Sequence, residues 1–429
     1  MISATKGAVT LAGRAGWLKD RGLQRLLSVL SEGGEEARIA GGAVRNTLLG
    51  EPVADIDIAT TVLPDETVRR GEAAGFKAVP TGAEHGTITL IAAGHPYEVT
   101  TLRADIETDG RRAKVRFGRD WQADAERRDF TINGLYAEAD GRVIDLVGGV
   151  ADIESRTIRF IGDAEKRIRE DYLRILRFFR FFAWYGKGRP DADGLKACAR
   201  LKDGLDGLSA ERVWSELRKL LSAPDPSRAL LWMRQAGVLT KILPESEKWG
   251  IYAIHPLTGA ERDLGWPADP MLRLEAIVPP DAARLAALAE RLKLSKAEAV
   301  RLADWAMTAP PVASATDLAL RQALYRGSPG GIRDRLGLSL VSARARAVSD
   351  TEALLEAGAY ARLLKIAQTW QKPVLPLKGA DLAAMGMVPG PKIGKLMRTL
   401  EEAWIESGFS LTREALLAQA GKAVSPGPG

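Results

Sequence analysis

Hydrophobic and polar residues follow two rhythms along this chain. In the first third, apolar runs are short, strand-like and punctuated by glycine; from Asp152 onward they recur every three or four positions, as on helices. The first rhythm predicts a helix near Gln24 to Ser31 and a short strand running into Gly41-Gly42. It then gives an amphipathic segment from Ala43 to Leu49 ended by Gly50, and a second strand carrying Asp55 and Asp57. A helix from Pro64 to Gly75 and a strand from Phe76 to Val79 follow. Residues 86–92 and 97–102 read as a hairpin turned at Ala93-Gly94-His95-Pro96, and Val143 to Val147 as a last strand. The polar stretch 105–118 reads as a mobile loop. In the second rhythm, Ile168, Tyr172, Leu173, Ile175, Leu176 and Phe179 space residues 163–182 as a helix. Helices over 209–243 and 260–310 are separated by turns at Gly237, Pro279-Pro280 and Pro310-Pro311. Residues 379–394 read as helix–turn–helix, in which Gly390 and Gly394 serve either a phosphate or an ordinary tight turn.

Composition narrows the classes. At 429 residues and 46% hydrophobic, the chain can bury several cores, and about three domains or subdomains are expected. One cysteine, Cys198, excludes a disulfide framework and a cysteine-based zinc site, and three histidines leave little room for a histidine-ligated metal. A net charge of +6 allows a polyanionic partner without requiring one. No apolar run reaches transmembrane length and no signal-peptide pattern follows Met1, so a cytoplasmic protein with no membrane partner is expected.

Candidate chemistry centres on residues 37–60, ARIAGGAVRNTLLGEPVADIDIAT. On a continuous strand Asp55 and Asp57 share one face, with Ile56 and Ile58 on the other. Paired carboxylates repel unless a cation separates them, and hard oxygen donors suit Mg²⁺. Gly41 and Gly42 at a helix start leave backbone N–H groups for a phosphate, and Arg45 one turn on adds a planar donor fork. Alone, a D-x-D is usually a solvated strand end and a Gly-Gly usually a turn. Together they suggest nucleotidyl transfer.

The joint pattern G-G-x-x-R-x-x-L-L-G then D-x-D resembles the head motif of the polymerase β-like nucleotidyltransferase superfamily. More narrowly, it is similar to class II tRNA CCA-adding enzymes and bacterial poly(A) polymerases. That family usually has Asp where this chain has Asn46. Glu98, in HPYEVTTLR, is either an outward charge on an edge strand or, as the resemblance implies, a third carboxylate beside the dyad. His85-Gly-Thr also occurs in the family and is given no catalytic role. The 105–118 loop, with Arg111, Arg112 and Lys114, matches a flexible family loop that helps convert the site from C to A addition. RRDFTINGL at 127–135 resembles R-R-D-F-T-x-N-A, with Gly134 for Ala. By that resemblance Arg128 contacts the incoming nucleotide and Asp129 its ribose hydroxyl; a structural salt bridge is the plainer alternative. Glu170-Asp171-x-x-Arg174, continued by Arg177 and Arg180, matches the E-D-x-x-R motif that selects the base, against the plainer reading of a surface ion pair.

The resemblance implies an α+β fold: a lead helix (1–35), a small mixed-sheet nucleotidyltransferase head (36–147), then an all-helical neck (148–245), body (246–369) and RNA-binding tail (370–420), with 421–429 disordered. It implies addition of C, C and A to the tRNA 3′ end from CTP and ATP, with Mg²⁺ held by Asp55, Asp57 and Glu98. The rivals are a poly(A) polymerase, whose usual long basic extension is not seen after Ala420, and a non-catalytic RNA-binding protein with a relic site. Oligomeric state is not legible.

Overall fold

The computed structural model describes residues 9–82, 86–109, 112–247, 250–388 and 390–424. They fall in two units, Met1–Glu247 and Lys248–Gly429.

In the first unit, α1 (Arg21–Leu30) is started by Asp20, whose carboxylate accepts the Leu23 N–H, and buries Leu23, Leu26, Leu27 and Leu30 at helical spacing. Next come β1 (Ala37–Ala40), α2 (Gly42–Leu49), β2 (Asp57–Thr60), α3 (Pro64–Ala73) and β3 (Lys77–Gly82). Gly50, at φ 75°, caps α2 as expected. β4 (Thr87–Ala92) and β5 (His95–Thr101) form a tighter hairpin than the sequence suggests: Ala93 and Gly94, both at positive φ, make a two-residue turn, and His95 and Pro96 belong to the strand.

The expected loop at 105–118 is instead mostly a separate two-stranded ribbon, β6 (Arg103–Asp109) with β7 (Arg112–Phe117). The signal was there: Arg112-Ala113-Lys114-Val115-Arg116-Phe117 alternates charge with apolar residues at the strand period. Arg111 and His85 lie outside the described residues. After α4 (Trp121–Glu126), β8 (Leu135–Ala137) and β9 (Val143–Asp145) complete a seven-stranded sheet in the order β3-β4-β5-β2-β1-β8-β9. Only β2 and β5 pair in parallel among its described strands.

Helices then take over: α5 (Gly149–Ser155), α6 (Ala164–Glu170), α7 (Leu173–Tyr185), α8 (Ala192–Leu201), α9 (Ala210–Leu221), α10 (Ser227–Gln235) and α11 (Val238–Ile242). Phe130, Phe160, Phe178 and Phe181 pack ring to ring, with centroids 4.9 Å apart for Phe130–Phe160 and 5.1 Å for Phe130–Phe181. This cluster fastens the 127–135 segment to α7. The single helix expected over 163–182 is broken. Asp171 is extended (φ −157°, ψ 107°), and its carboxylate accepts the Leu173 N–H (3.1 Å) to start α7 anew.

The second unit holds α12 (Ile254–Leu264), α13 (Pro270–Ile277), α14 (Ala282–Arg291), α15 (Lys296–Met307), α16 (Asp317–Arg326), α17 (Pro329–Arg346), α18 (Thr351–Thr369), α19 (Gly379–Ala384), α20 (Pro391–Glu406) and α21 (Arg413–Val424). One core gathers Leu320, Leu324, Leu336, Leu340 and Leu363; another gathers Tyr325, Leu400, Trp404 and Leu416. Residues 421–424, expected to be disordered, continue α21, and 425–429 lie outside the described residues. Among the described residues no helix is long and apolar enough to cross a membrane.

Candidate functional site

A cavity of about 600 Å³ opens in the first unit against β1, β2, β5, α2, α7 and the segment after α4. Of the residues expected to act in catalysis, metal binding or nucleotide binding, all line it except Asp55 and Arg180.

Its floor is the parallel pair β2–β5. Asp57 stands in register with Glu98, so neighbouring strands bring the two carboxylates together. Ile58 and Val99, next along each strand, are buried on the other face. β5 lies between β4 and β2, which removes the edge-strand reading of Glu98. Burial, and then the Glu98 charge, push the Asp57 carboxyl above its ordinary range; Arg128 opposes this and Asp55 adds to it.

Asp55 is not where strand alternation would put it. β2 begins at Asp57, and residues 51–56 are irregular. β1 ends at Ala40, opposite Asp57, as the chain turns into Gly41. On the other side, the register would set Asp55 opposite Pro96, which has no N–H to give. Asp55 is therefore exposed just upstream of the strand.

Gly41 enters α2 at φ 57°, and an added Cβ would meet Arg128 Nη1 at 3.0 Å. Its own N–H is committed to the Leu135 carbonyl (2.8 Å), so the first-turn N–H groups facing the cavity start at Gly42 rather than Gly41. Arg45 is buried. It donates to Asn133 Oδ1, Asn46 Oδ1 and the Tyr185 hydroxyl (3.1 Å), with its guanidinium carbon 4.5 Å from the Tyr185 ring centre. None of these partners is charged, and burial pulls the Arg45 pKa down.

Arg128 and Asp129 do not pair with each other. Asp124, fully buried, accepts from Arg127 (2.8 Å), Arg128 (3.1 Å) and the Tyr136 hydroxyl (2.6 Å). Burial works against the charged form, yet the two guanidinium groups hold its carboxyl below the ordinary range. Asp129 accepts from Arg177 (2.8 Å), Asn133 (2.8 Å) and the Phe130 N–H (2.9 Å), and these likewise outweigh burial and hold it low. At Gly134 an added Cβ would lie 2.6 Å from Val147 Cγ2, so an Ala there would need that side chain to shift.

Asp171 and Arg174 face the cavity, yet they do not form the surface i,i+3 pair. Asp171 accepts from Arg212 Nη2 on α9 (2.7 Å), while Arg174 donates to Glu170 and to the Arg167 carbonyl (2.6 Å). Arg180 does not line the cavity; it pairs with Glu216 and lies over the Phe181 ring.

Four polar groups at the site escaped sequence reading: Asp124, Asn133, Tyr185 and Arg212. Asp124 carried a signal, since it sits three and four residues before Arg127 and Arg128. Asn133 stands in the R-R-D-F-T-x-N-A match itself, whereas Tyr185 and Arg212 are brought in by tertiary packing.

Residues 37–159 match the family described as "Poly A polymerase head domain", and residues 190–249 one described as "Probable RNA and SrmB- binding site of polymerase A". The chain is 35% identical over 407 residues to a Mus musculus protein named CCA tRNA nucleotidyltransferase 1, mitochondrial, covering 92% of this chain and 89% of that one. It belongs to the CCA-adding enzyme and poly(A) polymerase family. A Geobacillus thermodenitrificans CCA-adding enzyme is 39% identical over 228 residues, 52% of this chain and 55% of that protein. Among solved structures, a Bacillus stearothermophilus CCA-adding enzyme in complex with CTP superimposes with TM-score 0.66 at 26% identity, over 94% of this chain and 96% of that one.

In this family member, the donor chemistry at the cavity floor fits a hard divalent cation: two carboxylates in register, one raised by burial and then by the other's charge. No three His, Cys, Asp or Glu side chains stand together at metal-holding spacing among the described residues, so the pair Asp57–Glu98 is the organised part of the set.

Proposed function

We propose that the chain adds C, C and A to the 3′ end of tRNA, using CTP and ATP and releasing pyrophosphate. The observation that carries this is the in-register Asp57–Glu98 pair, with the start of α2 and the Asp171–Arg174 break lining the same cavity. Mg²⁺ held by Asp57 and Glu98, joined by Asp55, would lower the pKa of the RNA 3′-hydroxyl and neutralise charge at the α-phosphate.

The protein's own groups supply positioning. The first-turn N–H groups of α2 from Gly42 and the uncompensated charge of Arg45 receive the triphosphate. Arg128, fixed by Asp124, stands above Asp57 and lowers the cost of its charge. Asp129 aligns Arg177, whose guanidinium borders the space for the nucleotide.

Base choice falls to Asp171 and Arg174. A carboxylate only accepts hydrogen bonds and a guanidinium only donates. Cytosine presents an N4 donor beside the N3 acceptor, and adenine N6 beside N1, so both complement the pair. Uracil and guanine present the reverse, leaving two opposed polar groups at about 1–3 kcal/mol each. For either base to bind, Asp171 must share its carboxylate with Arg212, and Arg174 must turn from Glu170.

The test is incubation of purified protein and Mg²⁺ with tRNA lacking CCA, giving CTP and ATP singly and together. Two C residues with CTP alone, and a terminal A only when both are present, are expected. Long A tracts from ATP alone would make it a poly(A) polymerase; no extension at all would make it a non-catalytic RNA-binding protein. A cytoplasmic setting is part of the proposal, while the mouse relative's name is mitochondrial; fractionation of source cells separates the two.

A further inference from the structure

Asn46 joins two parts of the site. Its side-chain oxygen accepts from Arg45 Nε (3.0 Å) and Nη2 (2.9 Å), and its amide nitrogen donates to the Pro52 carbonyl (2.7 Å). Its backbone carbonyl also accepts the Glu51 N–H (2.8 Å). Arg45 lines the cavity from α2. Pro52 lies in the irregular 51–56 stretch that carries Asp55 and delivers Asp57 to the head of β2. That stretch has no strand partner, because the β1 and β5 ladders both begin at Asp57.

We propose that Asn46 is a positioning residue that holds the carboxylate-bearing stretch in register with Arg45. In this chain the side-chain amide does both, accepting on one side and donating on the other. Aspartate could accept from Arg45 but has no hydrogen for Pro52, and its charge would face that carbonyl oxygen. Alanine could do neither. The inference rests on the proposed function, in which Arg45 meets the triphosphate and the carboxylates meet the metal.

Asn46→Asp separates the two halves. The Arg45 contact persists as an ion pair that competes with the triphosphate, so KM for CTP and ATP rises, while loss of the Pro52 bond separately lowers kcat about ten-fold for both nucleotides. Tyr185→Phe is the mirror control: it removes a different bond to Arg45 (3.1 Å), leaves Pro52 tied, and raises KM more than it lowers kcat. Backbone order parameters for 53–56, measured by ¹⁵N relaxation without nucleotide or metal, fall from about 0.85 to below about 0.6 in Asn46→Asp and hold in Tyr185→Phe. This second readout is independent of catalysis. If the unmodified protein extends no RNA but the order parameters behave as stated, the functional reading fails and the tether stands. Unchanged order parameters at 53–56 in Asn46→Asp, or an undiminished kcat at saturating nucleotide, overturns the proposal.

Discussion

Arg45 in the first unit and Arg273 in the second are both buried guanidinium groups, and they are buried for different ends. Arg273 meets Glu261 through Nε at 3.1 Å to both carboxylate oxygens and is shut from solvent. Its charge is answered within the helical unit. Arg45 is held by two amides, a phenol and two aromatic rings, all neutral. No carboxylate reaches ion-pair distance of it among the described residues. A buried cation surrounded by neutral partners at a cavity wall is a site waiting for an anion; one locked to a carboxylate is architecture. Burial and charge alone do not separate the two cases, but the identity of the partners does.

Four changes would break or sharpen this contrast. Arg273→Met should be the largest, because it strands Glu261 in the interior: unfolding of the second unit should cost about 3–5 kcal/mol less, seen as an earlier calorimetric transition. The rate of the chemical step, measured in single turnover below that transition, should be unchanged. Arg45→Met should invert the pattern. CTP and ATP affinity should fall about a hundred-fold as the anion loses its cation, with thermal stability equal or higher because no carboxylate is orphaned. A drop in stability as large as that of Arg273→Met would erase the distinction.

Asp171→Ala should come next. Loss of one opposed polar group should lower the preference for CTP over UTP about ten- to a hundred-fold, read by single-turnover incorporation of all four nucleotides. Undiminished rejection of UTP and GTP would return Asp171 to a structural role with Arg212.

The smallest effect tests a buried, poorly answered carboxyl of the second unit, Glu275. Glu275 is buried with neither carboxylate oxygen hydrogen-bonded, and Arg301 Nε, 3.9 Å away, donates to Asp334 while Nη2 donates to Asp269. Burial first, then the Asp334 charge, raise its carboxyl well above the ordinary range, against the pull of Arg301 and Arg335. A raised acid binds its proton more tightly folded than unfolded. Its stabilising contribution is therefore complete below the unfolded value and is lost as pH rises toward the folded one. Glu275→Gln should stabilise the second unit by about 1–2 kcal/mol near pH 8 and by nothing near pH 4. A calorimetric gain independent of pH would mean that Glu275 is not protonated in the fold.

The sequence disclosed the site through local chemistry and missed what depends on packing. Gly41 and Gly50 were legible because turn residues are local, whereas the place of Glu98 beside Asp57 was implied by the family resemblance, its residues alone leaving an outward edge charge open. Asp55 was misplaced because the length of β2 is set by its neighbours: β1 ends at Ala40, and Pro96 cannot extend the other ladder. The 103–117 ribbon was hidden by its charge, which masked an alternating pattern. Asp171 and Arg174 do share the cavity, but the helix break between them followed from a side-chain bond to Leu173 that spacing cannot reveal. Arg212, forty-one residues beyond Asp171, had no sequence signal at all.

Gly41 leaves a mark on how this protein can change. Any side chain there would press on Arg128 at 3.0 Å and on the Asn133 carbonyl at 3.4 Å, and would itself be strained at φ 57°. Shortening Arg128 to make room would leave Asp124 with one cation fewer in the interior. Mutational drift at position 41 is therefore tied to a position eighty-seven residues away, and neither step is neutral without the other. Two stretches of sequence that share no contact along the chain must evolve as one.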